Sequence, residues 1–137
     1  MKRLLSLAQY IKQGIIKRII PDKSKMKQMR NMAQIREDFL EEHVDDKFIA
    51  LHLEAFHDII QELLFAQLYK KGLSCTTDES LLAFAIKEFS VCHNNKDVLI
   101  QLFSLRRKIH TLKPLQIKKF LQTYHNALYI IVQELKR

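Results

Sequence analysis

The chain has almost no glycine. Only Gly14 and Gly72 occur in 137 residues, and two isolated glycines build neither the three-glycine dinucleotide fingerprint nor a G-x-x-x-x-G-K-[ST] phosphate loop. A nucleotide bound here is not held in a glycine-rich cradle. Cysteine is equally scarce. Cys75 and Cys92 form no C-x-x-C pair, and two thiols without further ligands make neither a closed zinc site nor a disulfide framework. A reducing, cytoplasmic setting is the expectation. Long hydrophobic runs are missing too: the longest charge-free stretch, Phe120 to Gln133, is interrupted by Gln122, Thr123, His125 and Asn126. That falls short of the roughly 18 apolar residues a spanning helix needs, so no membrane role is expected. The start, Met1 to Ala8, has a basic flank but an apolar centre too short for a secretory signal. Met1 to Pro21 carries five basic residues and no acid, a pattern that a transit peptide or a surface amphipathic helix would share.

What is present is an ordinary globular mixture. Apolar residues at 47% and charged residues at 28% exclude a disordered chain, and no Pro- or Gly-rich linker or fixed-period repeat divides it. One domain over residues 1–137 is expected. The net charge of +8 is unevenly spread: residues 1–36 sum to +9, residues 37–100 to −8 and residues 101–137 to +7. If the two basic ends meet they form a positive face for phosphate backbones; the alternative is that they pair with the acidic middle as solvated charge.

Helical periodicity dominates and no segment alternates over strand length, which predicts an all-α bundle of about six helices. Leu4, Leu5, Ala8, Ile11 and Ile15 mark a first helix ending near Gly14. Pro21-Asp22 caps a second, to about Glu42, with Met26, Met29, Ala33 and Leu40 inward. Asp45-Asp46 opens a third, where Ile49, His52, Phe56, Ile59, Leu63 and Ala66 recur at spacings of three and four until Lys70-Lys71-Gly72. Thr76 with Glu79 fits a capping box for a fourth helix through Phe89. Asn94-Asn95 opens a fifth, with Val98, Leu102, Leu105 and Ile109 inward, ending around His110. Pro114 starts a sixth, in which Ile117, Leu121, Tyr124, Leu128, Ile131 and Leu135 keep a four-three seam suited to a neighbouring helix or a second subunit.

Among six histidines none forms an H-E-x-x-H pair, and no metal site or cofactor is expected. His52 lies on an apolar stripe and reads as a hydrogen-bonded core or interface histidine. Glu41, Glu42, Asp45 and Asp46 cluster at a helix junction, which capping and solvation explain. The most specific local signal is Leu105-Arg106-Arg107-Lys108-Ile109-His110. Arg106 and His110 stand four apart and, on one helical face, could converge on a phosphodiester, the guanidinium holding oxygens and the imidazole moving a proton from a ribose 2′-OH. Three consecutive cations also suit the negative end of a helix for structural reasons alone.

From the third helix onward the sequence resembles the HEPN family, small helical domains named for nucleotide binding in higher eukaryotes and prokaryotes. The residues that carry the likeness are Glu54-Ala55-Phe56-His57 through Leu63-Leu64, Leu68-Tyr69-Lys70-Lys71-Gly72-Leu73, Thr77-Asp78-Glu79-Ser80-Leu81-Leu82-Ala83-Phe84 and Leu102-Phe103-Ser104-Leu105-Arg106-Arg107-Lys108-Ile109. Ile16-Lys17-Arg18-Ile19-Ile20-Pro21-Asp22-Lys23 is similar to the opening of prokaryotic, particularly archaeal, members. The resemblance implies an up-and-down helical bundle, a homodimer, and a minimal nucleotidyltransferase as partner in a toxin–antitoxin-like pair. Many members are metal-independent ribonucleases with an arginine and a histidine separated by four to six residues. On that pattern Arg106 is the phosphate holder and His110 the general base, with Arg107, Lys108 and Lys113 positioning the RNA. Only three residues separate the pair here, Arg107 stands where the family often has asparagine, and Leu112 where it often has tyrosine. The motif is therefore degenerate, and the resemblance implies binding of nucleic acid or nucleotide at least as much as RNA cleavage. The alternative is a protein-interaction module without nuclease activity.

Overall fold

A computed structural model describes residues 3–43 and 45–137; Met1 and Lys2, which open the basic amino-terminal stretch, lie outside the described residues. The described chain forms α1 (Leu7–Lys12), β1 (Ile16–Arg18), α2 (Lys23–Glu42), α3 (Ile49–Lys70), β2 (Leu73–Cys75), α4 (Asp78–Glu88), α5 (Ser90–Asn94), α6 (Lys96–Arg107) and α7 (Pro114–Leu135). The all-α expectation holds, with one two-stranded ribbon added. No helix among the described residues is long and apolar enough to cross a membrane.

Helix α3 is the axis. Its apolar residues occupy more than one stripe, and Leu53, Ile59, Ile60, Leu64 and Leu68 are fully buried, as a helix covered on several sides requires. Helix α2 lies antiparallel along it: the Asp22 N–H donates to the Tyr69 carbonyl at 3.1 Å near one end, and His52 Nε2 meets the His43 carbonyl at the other. Helix α7 runs parallel to α3, since Lys118 pairs with Asp46, the His125 ring packs edge-on to Phe56 and Gln67 Nε2 donates to the Leu135 carbonyl. Helix α6 runs back antiparallel, with Phe103 against His57 and Arg106 near Glu54. In α7, Ile117, Leu121, Leu128, Ile131 and Leu135 are all buried within the chain. These five seam positions are taken up by intramolecular packing, and Tyr124 is half-buried.

Four expectations need correcting. The first helix ends near Gly14 as expected but runs only from Leu7 to Lys12, so Leu4, Leu5 and Ile15 lie outside it; Gly14 at φ +74° turns the chain into β1. That strand pairs antiparallel with β2, Ile16 opposite Cys75 and Arg18 opposite Leu73; three residues are too few to show an alternating pattern. The cap of α4 is Thr77, whose side chain accepts from the Ser80 N–H at 3.2 Å, and not Thr76. The expected fifth helix is two, α5 and α6, broken at Asn95, which leaves helical geometry at φ −120°, ψ 27°. Its buried side is Val98, Leu99, Leu102 and Phe103, with Leu105 only half-buried. Finally, α6 ends at Arg107: Lys108 turns to φ −110°, ψ 23°, and Ile109–Thr111 is a separate 3-10 turn.

Candidate functional site

The end of α6 separates the residues expected to act together. Four positions define one helical face only while the helix continues, and it stops between Arg106 and His110. His110 lies exposed in the 3-10 turn and makes no hydrogen bond or ion pair among the described residues. Arg106 faces the other way, its Nη1 3.9 Å from Glu54 Oε1 on α3. Arg107 is bound twice, Nε at 3.1 Å from Asp78 Oδ2 and Nη2 at 2.9 Å from Glu79 Oε1, so it ties α6 to the start of α4. Lys108 and Lys113 are exposed and make no ion pair among the described residues.

Arg106 belongs instead to a charged layer. Glu54, Asp58 and Glu62 recur every fourth residue on α3, which puts three carboxylates on one stripe, between Arg36 of α2 and Arg106 of α6. Arg36 Nε donates to Glu62 Oε1 at 2.8 Å and its Nη1 lies 3.6 Å from Asp58 Oδ2. Asp58 Oδ1 accepts from His57 Nδ1 at 2.8 Å. Burial works to raise the Asp58 carboxyl, but the His57 hydrogen bond and the charges of His57, Arg36 and Arg106 outweigh it and hold the group below the usual carboxylate range. At Glu62 burial wins over Arg36 and pushes the carboxyl up; its Oε2 is buried without a partner, as is Arg106 Nε. The His57–Asp58 dyad is oriented like a proton relay, yet the His57 side chain is 8% exposed and the Phe103 ring closes on it at 4.5 Å. A phosphodiester has no approach to it. These residues were visible as acids at positions i, i+4 and i+8 of an apolar helix, a spacing that asks for cationic neighbours.

The two basic ends of the sequence have different fates. In the carboxy-terminal third, Arg106, Arg107 and Lys118 pair with acids of the middle segment, and Lys136 with Glu37. In residues 3–36, only Arg36 has a carboxylate partner among the described cations. The ends also do not merge. Lys108 and Lys113 lie where α3 begins, whereas β1 and the start of α2 lie where α3 ends, about 30 Å away along 22 residues of helix. There the Ile19 N–H donates to the Gly72 carbonyl at 2.8 Å and Asp22 N–H to Tyr69. These bonds bring exposed Lys17, Arg18, Lys23, Lys25, Lys27 and Lys70 together. Lys25 Nζ sits 5.4 Å above the Tyr69 ring, which stacks in turn on Phe65. The first turn of α2 holds no acid, although the positive end of a helix dipole favours one.

Among the described residues no group of three or more His, Cys, Asp or Glu side chains is placed to hold a metal ion. Fold and surface together define an all-α bundle with a cluster of exposed cations at the end formed by β1 and the start of α2. Comparison with family models, with curated proteins and with solved structures finds no match.

Proposed function

We propose that the protein binds single-stranded RNA or a related polyanion through the end formed by β1, the first turns of α2 and the end of α3. One observation carries the reading: Lys17, Arg18, Lys23, Lys25, Lys27 and Lys70 lie exposed at this end and, among the described residues, in no ion pair, with Asp22 as the carboxylate that caps α2 beside them. Holding like charges together costs free energy unless an anion relieves it. Tyr69 and Phe65 add aromatic surface on which bases stack, the combination that sequence-tolerant single-strand binding uses. In this reading the chain is a HEPN-like RNA-binding protein, and the minimal nucleotidyltransferase implied as its partner is part of the same proposal.

Fluorescence anisotropy with a labelled single-stranded RNA tests it. Each phosphate contact contributes about −0.7 to the slope of log affinity against log salt, so six contacts give about −4. Lys23→Glu with Lys25→Glu should weaken binding at least tenfold, while Lys108→Glu with Lys113→Glu should leave it within twofold. The opposite ranking would return the site to the α6–α7 corner, and salt-insensitive binding would remove the polyanion reading.

A second reading, a protein-interaction module or homodimer, is favoured by apolar side chains that α7 and α2 leave outside. Ile35 is 63%, Tyr129 55% and Ile130 52% exposed. Light scattering that gives a single 16.3 kDa species at micromolar concentration would remove the homodimer.

A further inference from the structure

A large cavity lies apart from the β1–α2 end and from the charged layer. It is a groove of about 1070 Å³ between the segment Leu4–Leu7, α4 and the start of α6, at the upper limit of the roughly 300–1,000 Å³ usual for small-molecule sites. Its floor is apolar, made by Leu4, Leu5, Leu7, Ala83, Ile86 and Ile100. Its rim carries the cations Arg3, Lys87 and Lys96 and the imidazole of His93, and none makes an ion pair among the described residues. Of the two carboxylates at the rim, Glu88 is already bound to Lys71, which leaves Asp97. Lys96 and Asp97 are also the first residues of α6, and no side chain caps that helix because the Asn95 amide turns back to the Val91 carbonyl at 2.8 Å. The positive end of the α6 dipole therefore adds to the rim.

We infer that this groove is a binding site for a single-tailed anionic amphiphile of the medium-chain carboxylate class, its tail on the Leu4–Ile86–Ile100 floor and its head among Lys87, His93 and Lys96. An apolar floor of this extent has no use for a nucleic-acid backbone, which needs cations along its whole length. A neutral apolar ligand would leave the unpaired cations and the open end of α6 without a counter-charge. The occupant that satisfies both floor and rim carries one negative head on an apolar body. This inference is independent of the proposed RNA binding, whose cations lie elsewhere.

Isothermal titration of the full chain with dodecanoate tests it below the micelle concentration. One-to-one binding is expected, with octanoate at least tenfold weaker, since each buried methylene is worth about fourfold in affinity. Dodecyltrimethylammonium, with the same tail and the opposite charge, should bind at least tenfold more weakly than dodecanoate, and acetate not measurably. Ile86→Glu should abolish binding. Should that variant fail to fold, Lys87→Glu with Lys96→Glu, both exposed, decides by a tenfold loss at an unchanged melting temperature. Lys23→Glu with Lys25→Glu, the RNA-binding variant, should bind dodecanoate as the wild type does. Equal binding of the anionic and cationic amphiphiles, or loss of dodecanoate in that last variant, would overturn the site; no binding of dodecanoate at all would do so outright.

Discussion

At the scale of single residues the informative groups are those that ionise inside the bundle. Asp58 is held below its ordinary 3.8, so its stabilisation is fully present above that pH and is lost as pH falls through the lower folded value. Glu62 has the opposite sign. Its carboxyl is raised above 4.5, so it favours the fold only in acid, and that contribution disappears as pH rises through the folded value. Asp58→Asn, which breaks the contacts of His57 and Arg36 together, should therefore cost about 2 kcal/mol at pH 7. Glu62→Gln, which removes a poorly solvated charge while keeping an acceptor for Arg36, should change stability by less than about 1 kcal/mol. Urea melts at pH 7 and pH 3 check both, and the Asp58→Asn deficit should shrink at the lower pH. Burial also pushes the Cys92 thiol up to about 12. A thiol reagent at pH 8 should leave Cys92 unmodified until denaturant is added, because the thiolate is the reactive form.

At the scale of elements, neighbouring positions on α7 separate packing from surface. Leu128 is fully buried and Tyr129 is 55% exposed. Leu128→Ala should cost about 2–5 kcal/mol, and Tyr129→Ala should stay within about 0.5 kcal/mol, by thermal or urea unfolding. The two glycines form a similar contrast. Both have positive φ, yet a Cβ on Gly14 meets nothing within 4 Å, whereas on Gly72 it would lie 2.7 Å from the Ile19 carbonyl oxygen. Gly14→Ala should cost about 1 kcal/mol for its backbone alone, and Gly72→Ala clearly more, since it forces β1 away from the end of α3. Local signals were enough for α2, where Pro21-Asp22 precedes the helix, and for the stop of α3 at Gly72. They were not enough where structure depends on distant partners. The ribbon needs Ile16 to find Cys75, fifty-nine positions on. The break at Asn95 depends on a side chain turning backward. The company Arg106 keeps is settled by Glu54 on another helix, so an arginine–histidine spacing read along the chain could not reveal that α6 ends before His110.

At the scale of the molecule, charge placement opposes stability at one end. The sequence showed the segregation into +9, −8 and +7 segments, but not which basic segment the acids would neutralise. Topology decides that, because α6 and α7 lie against the acidic stripe and the acid-flanked start of α3, while the first turns of α2 lie beside its last turn, at Tyr69. Lys23 and Lys25 stand in the first turn of α2, at the positive end of its dipole, with only Asp22 capping it. Replacing each with glutamate exchanges an unfavourable charge for a favourable one, worth about 0.3–1 kcal/mol per site at low salt. For a chain of this size about 1 kcal/mol corresponds to roughly 4 °C. Lys23→Glu with Lys25→Glu should therefore melt several degrees above the wild type in low-salt buffer, and the gain should fade at 0.5 M salt as the charges are screened. The same variant should lose RNA affinity. A protein that becomes more stable and binds less when two surface lysines are reversed keeps those lysines for its ligand, since the fold does better without them. Loss of stability in the double variant at low salt would mean that these cations serve the fold.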